Sequence, residues 1–215
     1  MREFTDNCIV LKVSDYRDDD KLAKVLSAEN GVFTVCLRGV KKAKAKLKPF
    51  AQPFAFFNAK FVCGRGAFLT VIDPMIISDG FALCCDLKTY TAASVAAEAT
   101  LAALGDSEPH ADVLILFLKL VKSLQFDGDP YYQSCAYMCE LLKISGFYRE
   151  YTYSDDPKTP VQALGFAQKH GHIKREADGR SLDLSRRALK YVCGEFERSF
   201  DIGLKSVESI DLYAD

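Results

Sequence analysis

Between Arg38 and Pro49 the chain reads Arg38-Gly39-Val40-Lys41-Lys42-Ala43-Lys44-Ala45-Lys46-Leu47-Lys48-Pro49, six positive charges with no carboxylate among them. Cations at this density neutralise phosphates and release condensed counterions, a sequence-independent source of affinity for nucleic acid. Phe50, Phe54, Phe56, Phe57 and Phe61 follow closely, and aromatic rings stack on unpaired bases. Both features also have plainer readings. A lysine run is the ordinary composition of a solvated loop. Phe54 and Phe56 share one face of an expected strand and Phe57 and Phe61 the other, so in a small barrel at least one set is core. The expectation of nucleic-acid binding therefore rests on the lysines of what reads as a mobile cationic loop, and on no particular phenylalanine.

Catalytic constellations are not evident. Gly64-Arg65-Gly66 reads as a hairpin turn rather than a phosphate loop, and His110, His170 and His172 stand in no nucleophile motif. Asp18-Asp19-Asp20 has the chemistry to hold a divalent cation, but an acidic turn without a second carboxylate cluster is ordinarily just solvated. Cys135 and Cys139 lie four apart on an expected helix, so they point the same way. With His170 and His172 they would make a four-ligand set. Buried small side chains and an exposed His-x-His turn are the better reading. The expectation is a non-enzymatic protein with no cofactor and no metal.

Around these residues the chain divides in two. Its 215 residues carry a formal net charge of −1, but Met1 to Ala82 holds 13 Lys and Arg against 9 Asp and Glu, and the remainder 15 against 20. A basic first part and an acidic second part suggest different partners for each. In the first part, alternation at Ile9, Leu11 and Val13 gives one strand, and further runs lie at Lys21–Leu26, Val32–Leu37, Phe54–Val62 and Ala67–Ile77. Asn30-Gly31 is a hairpin signal because both residues tolerate positive φ. Five short strands so spaced predict a small closed barrel of the OB-fold or SH3-like type. After Ser78 the periodicity becomes helical: Leu87–Leu104, a helix with Pro109 in its first turn running to about Phe126, a third from Asp129-Pro130 to Gly146, and Ser185–Phe200 with Leu189, Val192, Cys193 and Phe196 on one stripe. Tyr148 to Arg180, with Pro157 and Pro160, reads as irregular. The fold class is thus α+β with two domains, a β-barrel at 1–80 and a mainly α-helical domain at 81–215. The start of the chain shows no signal-peptide core, and no apolar run is long enough to span a bilayer. The eight cysteines sit mostly in hydrophobic runs, so the expectation is a cytoplasmic protein with reduced thiols and no membrane partner.

The order of short motifs resembles the RecO family of recombinational DNA-repair mediators. The chain has Ile9-Val10-Leu11-Lys12, then Asp18-Asp19-Asp20-Lys21-Leu22, Glu29-Asn30-Gly31, Arg38-Gly39-Val40-Lys41-Lys42 and Gln52-Pro53-Phe54. These are similar to the family's opening strand, acidic turn, Glu-x-Gly hairpin, Arg-Gly-x-basic-basic loop and Pro-Phe. Leu141-Leu142-Lys143-Ile144-Ser145-Gly146-Phe147 resembles the family helix that closes on Gly-Phe, and Gly203-Leu204-Lys205-Ser206 its C-terminal Leu-Lys-Ser. The resemblance implies an N-terminal OB-fold that binds single- and double-stranded DNA and promotes annealing. It also implies a nucleoid-associated bacterial protein that, with RecR, helps load RecA onto strands coated by single-strand-binding protein (SSB). On that reading Arg38, Lys41, Lys42, Lys44, Lys46, Lys48 and Arg65 contact phosphates. The helical half would receive the acidic C-terminal tail of SSB, with Lys119, Lys122 and Lys143 as candidates by charge. Many family members hold zinc with four cysteines after the Gly-Phe; here that stretch has Tyr148, Tyr151 and Tyr153 but no cysteine, so zinc is not expected. An RNA-binding barrel and a protein-interaction scaffold are the two other classes that the same residues permit.

Overall fold

The computed structural model describes residues 3–63, 68–105, 108–126, 128–174 and 176–212. They form two compact units: 1–81 with 104–114, and 82–103 with 115–215.

In the first unit, five strands close a barrel in the order β1-β2-β3-β5-β4, with β1 at Glu3–Tyr16, β2 at Asp20–Ser27, β3 at Gly31–Leu37, β4 at Phe56–Cys63 and β5 at Leu69–Ser78. All junctions are antiparallel except β3 with β5, which is parallel. This is the OB-fold-like architecture expected from the spacing of the runs. β1 is longer than its Ile9–Val13 alternation implied because it serves two neighbours. Glu3–Ile9 pairs with β4, Cys8–Tyr16 pairs with β2, and a bulge at Leu11 re-aims the strand between them. Closure buries an apolar interior built around Val10, Val25, Val35, Phe57 and Phe61. Phe33 and Phe61 meet edge to face with centroids 5.1 Å apart. Each fully buried phenylalanine contributes about 2–3 kcal/mol of transfer free energy.

Two local expectations change. Phe54 is not in β4; it sits ahead of the strand at φ +67 and is buried, its N–H bonded to the Val10 carbonyl at 2.8 Å. In the hairpin between β2 and β3 only Gly31 takes positive φ, at +65, so Asn30 keeps an ordinary conformation. Its N–H is instead held by Ser27 Oγ and its side-chain amide by Asp6. Gly31 is required twice over, since a Cβ there would lie 1.9 Å from the Glu108 carbonyl oxygen. The start of the last strand at Ala67 lies outside the described residues, as does the turn at 64–66; β5 is described from Leu69.

In the second unit, α4 (Pro130–Ile144) is buried on nearly every side. Asp129 caps it as its Asp-Pro sequence requires, one carboxylate oxygen accepting from Tyr132 N–H and the other from Ser185 Oγ. Gly146 ends it at φ +84, with Phe147 N–H bonded back to the Leu142 carbonyl. Around it pack α2 (Leu87–Ala103), α5 (Pro160–His170) and α6 (Gly179–Phe200). The stripe Leu189, Val192, Cys193 and Phe196 is fully buried. Three corrections arise here. The stretch 148–180 is not irregular throughout: Thr159 caps α5 with Pro160 at its first position, and α6, capped by Asp178, starts at Gly179, six residues before Ser185. α3 (Ala111–Leu124) begins two residues after Pro109, which stands outside it. Short helices α1 (Phe81–Cys84) and α7 (Ser209–Leu212) complete the inventory. Cys8, Cys36, Cys135, Cys139 and Cys193 are buried, whereas Cys63 and Cys85 are exposed and Cys84 is half-buried, against the expectation for that pair. No described helix is long and apolar enough to cross a membrane.

Candidate nucleic-acid interface

The basic segment is the connection between β3 and β4, and it is folded. Apolar residues spaced through it reach inward: Val40, Phe50 and Ala51 are buried in the barrel core and Leu47 packs against it. Between these anchors the backbone runs in successive turns, Lys42 N–H to the Gly39 carbonyl, Ala45 to Lys42, Lys48 to Ala45 and Phe50 to Leu47. The expectation of a free, mobile loop is therefore replaced by one pinned at both ends, and the alternation of anchors with lysines is what turns the charges outward. Gly39 makes the first bend at φ +63.

The acidic turn is part of the same structure rather than a solvated tip. Asp20 Oδ1 accepts the Gly39 N–H at 2.7 Å, and the Asp19 carbonyl accepts the Lys41 N–H. Lys41 Nζ lies 3.3 Å from Asp15, Lys42 Nζ lies 3.5 Å from Asp19, and Lys48 Nζ donates to the Ala43 carbonyl. Among the described residues no carboxylate pairs with Arg38, Lys44 or Lys46, which are all exposed. Of the seven cations expected to contact phosphate, six are thus grouped on one turn-rich surface, two of them partly engaged by carboxylates. The seventh, Arg65, lies outside the described residues.

The rings that follow the loop are mostly structural. Phe50, Phe54, Phe57 and Phe61 are buried, and Phe56 is half-buried. The outward face of β1–β3 carries functional candidates that the sequence reading missed. Lys12 and Lys24 are paired in register and exposed, and Tyr16 and Phe68 meet edge to face above the same face. Strand alternation was the available signal for Lys12 and Lys24; nothing in the sequence linked Tyr16 to Phe68, fifty-two positions apart.

In the helical unit, Lys119, Lys122 and Lys174 line a cleft of about 650 Å³ with Leu116, Phe126 and Ile173, and one carboxylate, Glu140, lines it too. Lys143 is not part of its lining and faces Glu140. His172 is not an exposed turn residue. Its Nδ1 lies 2.9 Å from Gln133 Oε1, while Gln133 Nε2 donates to the Ile173 carbonyl, which fixes the proton on Nδ1. Burial first, and then the neighbouring Lys119 charge, lower its pKa to about 4. Cys135 and Cys139 are buried on α4, and burial raises the Cys139 thiol well above its ordinary value. No group of three or more His, Cys, Asp or Glu side chains is placed to hold a metal ion among the described residues.

A five-stranded barrel closed in the order β1-β2-β3-β5-β4 is OB-fold-like, a class of fold that includes oligonucleotide and oligosaccharide binders. Residues 1–80 match the family model described as "Recombination protein O N terminal". Curated relatives agree across more of the chain. It is 32% identical over 124 residues to the DNA repair protein RecO of Clostridium novyi, covering 57% of this chain and 46% of that protein. It is 28% identical over 123 residues to the DNA repair protein RecO of Anaeromyxobacter sp. strain K, covering 57% and 48%. With the DNA repair protein RecO of Clostridium acetobutylicum identity is 25% over 169 residues, 77% of this chain and 67% of that protein. The chain is thus similar to the RecO family, through its N-terminal model over residues 1–80 and through these relatives over 57–77% of its length. The first of these alignments spans about half the length of the curated relative.

Proposed function

We propose that this chain is a non-catalytic DNA-binding protein of recombinational repair. It holds single- and double-stranded DNA on the basic surface of its barrel and brings complementary strands together. The observation that carries the reading is the cluster of Arg38, Lys44 and Lys46, exposed and without carboxylate partners among the described residues, beside Lys41, Lys42 and Lys48 on an anchored loop. Anchoring matters because charges held in place lose less conformational entropy on binding. Annealing then needs no covalent step: neutralising both polyanions brings them close, and base pairing completes the reaction. With RecR, the protein would help load RecA onto SSB-coated strands. The cleft lined by Lys119, Lys122 and Lys174 beside Phe126 and Ile173 fits an acidic peptide with an apolar end, which is the chemistry of the SSB tail.

Fluorescence anisotropy of labelled single-stranded DNA across a salt series tests the barrel assignment. About five phosphate contacts give a log–log slope of about −3 to −4. The variant with Lys41, Lys42, Lys44 and Lys46 changed to Ala should lose most of that slope. No binding at low salt would overturn the assignment.

A further inference from the structure

Resting on the DNA-binding reading, we infer that Tyr16, Arg17 and Phe68 form a stacking platform for an unpaired base on the outward face of the barrel. Tyr16 ends β1 and Phe68 precedes β5; their rings meet edge to face with centroids 5.7 Å apart and an interplanar angle of 86°. Both are half-buried rather than buried, so neither is consumed by the core. The Arg17 guanidinium carbon lies 5.0 Å from the Tyr16 centroid. Arg17 takes φ +53, a left-handed conformation that is strained for a non-glycine residue. Its carbonyl is held at 3.3 Å by Lys41 Nζ, so the strained turn is tied to the basic loop itself.

The adjoining strands point the same way. Leu22 and Cys36 are paired across β2 and β3, and they alternate with Ala23, Val35 and Leu37, which face the core. Leu22 and Cys36 therefore face outward, yet Cys36 is only 7% exposed. Two partly exposed rings with a guanidinium beside them, next to outward apolar residues of β2 and β3, offer what a nucleobase requires: a ring face to stack on with a cation available. A duplex keeps its bases stacked on each other, so the platform favours single strands, whereas the lysines serve either form.

The test separates base from phosphate. Wild type, Tyr16→Leu/Phe68→Leu and Lys44→Ala/Lys46→Ala are titrated with a labelled thymidine oligonucleotide and with an abasic oligonucleotide of equal length. Wild type should bind the thymidine strand about tenfold more tightly than the abasic one. The Tyr16→Leu/Phe68→Leu variant should bring that ratio to about one while holding abasic affinity within about twofold. The lysine variant should weaken both probes and leave the ratio intact. Equal wild-type affinity for the two probes, or an unchanged ratio in the leucine variant, overturns the platform and leaves DNA binding standing. Failure of wild type to bind either probe at low salt overturns both readings. A Tyr16→Phe/Phe68→Tyr variant that folds and keeps the ratio guards against a folding defect in the leucine variant.

Discussion

Lys41 Nζ lies 3.3 Å from Asp15 Oδ1, although the two residues come from the basic loop and from the end of β1 just before the acidic turn, segments that look independent in the sequence. With Lys42 facing Asp19 and Asp20 capping Gly39, the acidic turn both shapes the basic loop and occupies part of its charge. A phosphate approaching Lys41 or Lys42 must compete with a carboxylate already there.

Replacing Asp15 and Asp19 by Asn should therefore raise DNA affinity. Exposed pairs are worth about 0.2–1 kcal/mol each, so the gain from the two is about two- to thirtyfold at low salt, shrinking as salt screens both states. Anisotropy titrations at two ionic strengths measure it. Weakened binding would mean that the acidic turn mainly holds the lysines in position.

Gly31 and Gly39 provide a matched pair for backbone energetics. Both hold positive φ, but a Cβ at Gly39 meets nothing closer than the Lys42 side chain at 3.7 Å, whereas at Gly31 it collides with the Glu108 backbone. Gly39→Ala should cost about 1 kcal/mol, the left-handed penalty alone. Gly31→Ala should cost more than about 3 kcal/mol, because backbone has to move. Urea denaturation of both variants gives the comparison; equal losses would contradict the close approach of Glu108.

His172 sets an acid limit on stability. The unfolded chain takes up a proton at its ordinary value near 6.5, while the folded chain resists protonation down to about 4. Stability from this residue is complete above 6.5 and declines as pH falls toward 4, by about 2 kcal/mol once the exposed part of the ring is allowed for. Asn at position 172 keeps a donor for Gln133 and removes the titration. Its melting temperature should therefore fall less than that of wild type between pH 7 and pH 4.5.

Glu195 is only 6% exposed, and it is satisfied by the Tyr151 hydroxyl and by Arg149 at 2.5 Å, which fasten the segment after α4 to α6. Tyr151→Phe removes one donor from a buried carboxylate and should cost about 1–3 kcal/mol. Hydrogen exchange would then rise selectively in residues around 149–153. An unchanged exchange pattern would show that the segment is held by packing alone.

The strands of the barrel were legible because each alternates with period two against a buried interior, and Asp129-Pro130 and Gly146 marked α4 because capping is local chemistry. α5 is hard to read in the sequence because its eleven residues lie among prolines and glycines, and so short a helix needs burial of Ala163, Leu164 and Ala167 in addition to its Thr159 cap. Phe54 was misplaced because its ring looked like strand periodicity, while its backbone conformation is set by the hydrogen bond to Val10.

The candidate site divides along the same line. The sequence by itself determined that six cations stand between two strands, since charge and strand propensity are properties of the residues. Only the tertiary structure decided which of those cations are free. Pairing with Asp15 and Asp19, the anchoring of Val40 and Phe50, and the meeting of Tyr16 with Phe68 all depend on barrel closure, which brings together residues whose separation along the chain carries no trace of their contact.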